Sequence, residues 1–313
     1  MNGNENLISV ILPTYNGATR GNGEYLKQAI ESVLNQTYEN FELIIVNDGS
    51  IDDTEEVIKQ YKDNRIIYIK NDSNRGVYSA RNKGLINARG EYIAFLDDDD
   101  YYYTNKLKDQ LDFMMNNKSY ISLSDMDIIN ANGIKYSTLK NKRNSSQVKD
   151  ICKGNISPAP SALMFKRDII YDIGYFKEYL KAAADFDYIL RVAIKYNINI
   201  IPITLNAYRS HKYNISTNIE ITYVSVLFIV FELQNILLLF YNNNKNAFFY
   251  DVFFRYMKWR YDCNNFHAFR YCFKVTKIFG KIDKKWYFKY YLSYFTPILL
   301  ILKKIRHFYK KND

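Results

Sequence analysis

Apolar residues along the first hundred positions come in short blocks of two alternating kinds. Ile8 to Leu12 is a continuous apolar run stopped by Pro13, and Tyr25 to Leu34 then sets Leu26, Ala29, Ile30 and Val33 on one helical face. Phe41 to Val46 is a second continuous run, closed by Asn47-Asp48-Gly49-Ser50. A helix over about Asp53 to Tyr61, a strand over Ile66 to Ile69, a helix over about Gly76 to Ala88 and a strand over Tyr92 to Leu96 follow. Strands that are apolar throughout, separated by helices of this size, predict an α/β fold with a mostly parallel sheet and right-handed crossovers. Ligands of such sheets bind beyond the carboxyl ends of the strands. Those ends carry Pro13-Thr14-Tyr15-Asn16, Asn47-Asp48-Gly49-Ser50, the segment Asn71 to Gly76, and the run Asp97-Asp98-Asp99-Asp100.

Further along, the pattern predicts a helix over Asn105 to Asn116 and a strand over Tyr120 to Ile129 turned at Asn132-Gly133. The polar, basic stretch Tyr136 to Lys153 reads as a loop, and order resumes at Ser161 to Lys166. A helix over about Asp185 to Tyr196 precedes two short strands, Ile198 to Ile203 and Leu205 to Arg209. From about Asn218 the pattern changes to long aromatic-rich helices, which divides the chain into a domain of residues 1–217 and a helical region of residues 218–313. The longest apolar run, Tyr223 to Tyr241, is interrupted by Glu232, Gln234 and Asn235 and reads as a packed helix rather than a membrane span.

Charge sharpens that division. The chain of 313 residues carries a net charge of +10; from Lys245 onward 16 Lys or Arg face four Asp, so the tail holds +12 and the first 244 residues about −2. The front is therefore no nucleic-acid binder by charge. The segment Tyr287 to Leu302, followed by Lys303-Lys304-Ile305-Arg306, suits either a helix lying on an anionic membrane surface or a helical cap, with homodimer formation as another role. Cys152, Cys263 and Cys272 show no metal-ligand spacing and read as free thiols in a reducing compartment. The first residues show no secretory pattern, so the expected location is the cytosol, with peripheral attachment to the inner face of the plasma membrane through the tail.

Four carboxylates at one strand end repel one another, and a divalent cation is the simplest group that turns the repulsion into binding. The bland alternative is a solvated acidic turn. Asp48 and Arg81 have bland readings too, as a turn residue before Gly49 and a solvent-facing helical arginine. Asp185 and Asp187 open a helix, where carboxylates also serve the helix dipole.

Five segments in order alter the balance: Ile8 to Asn16, Glu31 to Tyr38, Val46 to Ser50, Ala80-Arg81-Asn82-Lys83-Gly84, and Phe95 to Asp100. Together they closely resemble the inverting family 2 glycosyltransferases, over roughly residues 7 to 217. The resemblance implies a GT-A fold, a nucleotide-sugar donor, most commonly a UDP-sugar, and Mn2+ or Mg2+. It implies Asp99 as direct metal ligand, with Asp97 and Asp98 sharing contacts to metal and ribose and His211, in Tyr208-Arg209-Ser210-His211, as a further contact to metal or diphosphate. The implied nucleotide-binding set is Pro13, Thr14, Tyr15, Asn16, Asp48, Asn74, Arg81, Asp97 and Asp98; Asp100 would cap a helix or orient its neighbours. Asp185 aligns with the catalytic base, and Asp187 is held in reserve.

Three departures from the pattern stand out. Ala184 replaces the usual Glu before the base, Asp98 stands where a small residue is common, and Ala18 to Gly23 lengthens the first loop. The resulting expectation is a metal-dependent inverting glycosyltransferase that moves one sugar to a hydroxyl of a glycan or lipid-linked glycan in bacterial surface polysaccharide assembly. The absence of a Gln-x-x-Arg-Trp motif after Asp185 argues against a processive synthase. The rivals are a nucleotidyltransferase acting on sugar phosphates and a non-catalytic nucleotide-sugar binding protein. Against the first, the strand-one loop lacks the glycine-rich basic sequence that handles a triphosphate.

Overall fold

The computed structural model of the chain describes residues 6–143, 147–157, 159–211, 214 and 219–262, with single positions and short stretches from 270 to 290. By contacts the chain forms two compact units, Met1–Gln147 with Ile156–Ile229, and Val148–Asn155 with Val230–Asp313.

The first unit is built on a mixed sheet of strands β1 (Ile8–Thr14), β2 (Phe41–Asn47), β3 (Ile66–Lys70), β4 (Tyr92–Phe95), β5 (Tyr101–Tyr102), β6 (Ile121–Asn130), β7 (Lys135–Leu139), β8 (Leu163–Lys166) and β9 (Asn199–Ser210). Their order is β3-β2-β1-β4-β8-β6-β9-β5, with β7 hairpinned on β6. The strands β1 to β4 are parallel, β6 pairs parallel with β9, and β8 enters antiparallel between β4 and β6. The chain runs outward through β2 and β3, then returns to the other side of β1 as β4. The carboxyl ends of β1 and β4 therefore flank the point where strand order reverses, the place where such sheets open a crevice.

Alternation on β1 divides its side chains between two helical layers. Ile8, Val10 and Leu12 join a core with Leu26, Ala29, Ile30 and Val33 of α1 (Glu24–Leu34), Val57 and Ile58 of α2 (Thr54–Lys59), and Leu107, Leu111 and Met114 of α4 (Lys106–Asn116). On the other face α3 (Val77–Asn87) lies against β1 so closely that a Cβ on Gly84 would come within 2.4 Å of Ile11 Cγ2.

Strand β1 does not stop at Pro13, as the sequence suggests, but runs through it to Thr14. The two backbone groups of one strand residue point to the same neighbour, and Pro13 faces the β4 side, where pairing has already ended at Ile11. Its missing N–H therefore breaks no ladder bond. The two short strands expected over Ile198 to Arg209 are one, β9. Its register on β6 jumps from Ser124 opposite Ile201 to Asp125 opposite Thr204, so Pro202 and Ile203 bulge outward without ending the pairing. The loop expected over Tyr136 to Lys153 holds the edge strand β7 and a helix, α5 (Gln147–Lys153). Two more helices flank the active half of the sheet, α6 (Ile169–Ile173), which the pattern missed, and α7 (Ala184–Lys195).

Within the second unit, Arg255 of α9 (Lys245–Asp262) donates to the Ile151 carbonyl near the end of α5, 2.7 Å away, and Lys153 pairs with Asp251 at 3.4 Å. Cys152 is a free, buried thiol there. The helix expected over Tyr223 to Tyr241 is α8 (Ile219–Phe240), and among the described residues no helix is long and apolar enough to cross a membrane. Residues 291–313, which include the Lys303 to Arg306 cluster, and Cys263 and Cys272 lie outside the described residues.

Candidate active site

The loop after β1 is bound directly to the loop after β2. Asn16 N–H donates to Ser50 Oγ (2.9 Å), and Asn16 Oδ1 accepts from Ile51 N–H (3.0 Å), with Asn16 held at φ +51°. Asp48 is buried and turned toward the next loop: Asn71 Nδ2 (2.7 Å), Arg75 N–H (3.1 Å) and Gly76 N–H (2.7 Å) all donate to its carboxylate. Asn74 Oδ1 accepts from the same Gly76 N–H at 3.0 Å. A Cβ on Gly49 would sit 2.6 Å from the Ser73 carbonyl carbon, which explains a glycine at that close approach. Thus Pro13 to Asn16, Asp48 and Asn74 belong to one connected rim at the carboxyl edge.

The Asp run closes the other side of that rim, and its four members have different partners. Asp97 pairs with Arg81. Asp98 accepts from Thr14 Oγ1 and from Arg20, whose guanidinium also donates to the Tyr15 carbonyl at 3.0 Å. Burial pushes the Asp98 carboxyl up to about 6 against the pull of Arg20, with Asp99 adding repulsion. Asp99 Oδ2 lies 2.9 Å from His211 Nε2 and 3.9 Å from Arg20 Nη1. Asp100 turns inward, where Ser161 Oγ–H (2.6 Å) and Arg209 N–H (2.9 Å) donate to it. Burial, then Asp99 and Asp97, raise its carboxyl well above the usual range.

The segment after β9 brings His211 back to Asp99 because Arg209 anchors it. Arg209 Nε donates to the Asp99 carbonyl (2.9 Å), its guanidinium lies 4.3 Å from the Tyr25 ring centre, and it also bonds Gln28. Tyr25 in turn stacks on His211 with ring centres 5.5 Å apart.

Asp185 stands at the first turn of α7, half-exposed, its Oδ1 accepting from Phe186 N–H at 2.8 Å. The preceding Ala183 holds φ +59°, a conformation costly for a residue with a Cβ. Burial raises the Tyr78 hydroxyl, and the negative field of Asp185 raises it further. Arg81 feels the same field: burial works against its charge, while Asp97, Tyr78 and Asp185 support it. Of the acids after β4 it is Asp97 that pairs with this buried guanidinium, and Asp185 of α7 supports its charge at longer range. Arg81 is 4% exposed, not the solvent-facing helical residue of the bland reading. Asp187, the reserve base, is fully buried and paired with Arg191 (2.8 Å) and Lys177 (3.0 Å), so it is a structural acid.

Among the described residues no three His, Cys, Asp or Glu side chains form a ready-made metal cage. The adjacent Asp99 Oδ2 and His211 Nε2 are donors of suitable type. A hard divalent ion commonly takes one or two protein ligands and completes its shell with substrate phosphate oxygens. The donor set fits an ion held jointly with a diphosphate.

Arg20, Tyr25, Ser161 and Arg209 were not singled out from the sequence. For Arg20 the signal was there, a lone cation in the unusual Ala18 to Gly23 loop.

A mixed sheet whose reversal point gathers polar loops, acids and arginines has the architecture of the GT-A type. The profile of the family described as Glycosyl transferase family 2 matches residues 9–174, and the chain belongs to that family. It is similar to an uncharacterized glycosyltransferase of Methanocaldococcus jannaschii, 38% identical over 210 residues, covering 65% of this chain and 70% of that protein. It is also similar to the UDP-Glc:alpha-D-GlcNAc-diphosphoundecaprenol beta-1,3-glucosyltransferase WfaP of Escherichia coli, 44% identical over 119 residues, 38% of this chain and 45% of that one. The crystal structure of S. aureus TarS in complex with UDP-GlcNAc matches with TM-score 0.60 at 25% identity, over 75% of this chain and 71% of that one. The chain covers 32% and 30% of the length of two uncharacterized glycosyltransferases from Rickettsia felis and Rickettsia conorii, to which it is 38% and 37% identical.

Proposed function

We propose that residues 1–217 catalyse metal-dependent, inverting transfer of one sugar from a UDP-sugar to a hydroxyl of a glycan or lipid-linked glycan, in the assembly of a bacterial surface polysaccharide. The observation that carries this reading is the shared guanidinium of Arg81, which pairs with Asp97 while lying in the field of Asp185. A donor-side acid is bound to this guanidinium, and an acid on a separate helix adds to the field it feels. The names of WfaP and of the TarS complex support a UDP-sugar donor and a lipid-linked acceptor.

In this mechanism the rim from Pro13 to Asn16, with Asp48 and Asn74, receives the nucleotide, and Asp97 and Asp98 orient the ribose. Asp99 and His211 would hold Mg2+ or Mn2+, which when bound supplies Lewis-acid stabilisation to the departing diphosphate. Asp185 accepts the proton of the acceptor hydroxyl as oxygen attacks the anomeric carbon from the face opposite the leaving group. The tail, with its +12 charge, and exposed Val224, Phe228, Phe231 and Leu239 on α8 support contact with an anionic membrane.

The test is a panel of nucleotide sugars assayed for slow hydrolysis with Mn2+ and with chelator. Release of nucleoside diphosphate that chelator abolishes is expected. Pyrophosphate release would instead mark a nucleotidyltransferase, and binding without turnover a sensor. Full transfer by both Asp99→Ala and Asp185→Asn would remove the site assignment.

A further inference from the structure

The Ala18 to Gly23 loop delivers a cation into the acid cluster. Thr19 anchors its start, its N–H and Oγ–H both donating to Asp52 Oδ2 at 2.8 Å. Gly21, Asn22 and Gly23 then follow at φ +56°, +54° and +81°, a left-handed stretch that turns the chain back into α1. Arg20 therefore projects from a fixed base toward Asp98, and it contacts Tyr15 O, Asp98 Oδ2 and, more distantly, Asp99 Oδ2. Its side chain remains 22% exposed while its guanidinium bonds the acids.

Charge counting shows what such a residue is placed for. Asp97, Asp98 and Asp99 bring three formal negative charges against two from Arg20 and Arg81. A divalent cation added to that cluster makes it net positive, so its binding is opposed by the arginines already there. A diphosphate added with the cation restores the balance, and a guanidinium matches two phosphate oxygens better than any other side chain. Building on the glycosyltransfer reading, we infer that Arg20 is a donor-positioning residue: it rests on Asp98 and Asp99 in the donor-free site and transfers its hydrogen bonds to the donor diphosphate. While it rests there it competes with a divalent ion for the same carboxylates. Arg20 thus makes tight metal binding depend on the donor.

The experiment is calorimetric titration of the full chain and of Arg20→Gln with Mn2+ alone, and with UDP at saturating Mn2+. In Arg20→Gln, Mn2+ alone should bind several-fold tighter than in wild type, because a competing cation is gone; unchanged or weaker Mn2+ binding overturns the competition. UDP should bind about tenfold or more weakly, the loss of a charge-assisted contact. Arg20→Lys keeps the charge but not the fork; it should leave Mn2+ binding near wild type and still lose several-fold for UDP, and it serves alone if Arg20→Gln does not fold. Weaker Mn2+ binding with unchanged UDP affinity, or no change in either, overturns the inference while the glycosyltransfer reading stands. A wild-type chain that binds neither Mn2+ nor UDP overturns both.

Discussion

The four aspartates after β4 should separate cleanly on mutation, and Asp100 is the informative one. It is 1% exposed, and its carboxylate accepts from Ser161 Oγ–H and Arg209 N–H. In Asp100→Asn the amide oxygen still accepts from Arg209 N–H and the amide N–H₂ donates to Ser161 Oγ, and no charge can form there at any pH. At about pH 4, below which the carboxyl holds its proton in both states, unfolding free energy should stay within about 1 kcal/mol of wild type, because both buried partners remain satisfied. In Asp100→Ala both are orphaned, at about 1–3 kcal/mol each, so a loss of about 2–6 kcal/mol is expected. Urea unfolding in chelator measures this, and transfer assays compare each variant with Asp99→Asn. The sign of the pH dependence follows from the raised carboxyl. The folded state keeps a proton that the unfolded state releases, so stability falls as pH rises from about 4 toward the folded value, by up to about 1.4 kcal/mol per unit. Asp100→Asn should lack this component. Loss of transfer in Asp100→Asn as severe as in Asp99→Asn, with stability intact, would refute the structural role and make Asp100 a ligand.

Asp185 and Asp187 should show the opposite phenotypes despite standing two residues apart. Asp185→Asn should abolish transfer with stability changed by less than about 1 kcal/mol; Asp187→Ala, which strips a buried carboxylate from Arg191 and Lys177, should cost about 3 kcal/mol by thermal or urea unfolding. Lys106 is fully buried, its Nζ has no hydrogen-bond partner among the described residues, and it lies 4.1 Å from the Tyr102 ring centre. Burial lowers its ammonium well below the usual lysine range, so the unfolded chain binds the extra proton and stability rises with pH up to about 10.4. Lys106→Met should raise stability at pH 7 by about 1–3 kcal/mol and flatten that rise, and an unchanged pH profile in chemical denaturation would count against it.

The parallel half of the sheet was legible because its strands are buried on both faces and its helices carry one apolar stripe, as in α1. Strand β7 was not, because Lys135 to Leu139 is an exposed ribbon on the sheet edge and has no inward face to leave a period in the sequence. The acids of the site were legible from their crowding at strand ends. Arg81 was legible as a nucleotide contact, but Arg20 and Arg209 were not, since Arg20 meets Asp98 across 78 positions and Arg209 bonds the Asp99 carbonyl across 110. A cation's role is set by where the fold carries it, and no local spacing encodes that.

The segment Ala80-Arg81-Asn82 shows how one short stretch can tie the two halves of the site together. Asn82 Nδ2 donates to the Phe176 carbonyl and Asn82 Oδ1 accepts from the Phe176 N–H, both at 2.9 Å, which fixes Phe176 to α3. The Phe176 ring lies 5.7 Å from the Arg81 guanidinium on one side and stacks at 4.4 Å on Tyr188 of α7 on the other. Arg81 is bonded to Asp97, and α7 opens with Asp185. A shift of α7 therefore cannot occur without moving Phe176, and with it the surroundings of the guanidinium that Asp97 shares. This chain has Ala184 where the family usually has Glu, so it lacks a second acid beside the base. The packed unit of Arg81, Phe176 and Tyr188 supplies in its place a fixed positive charge and a rigid wall. On this reading the electrostatics of the base are set from the donor side, through α3, rather than by a neighbour on α7 itself.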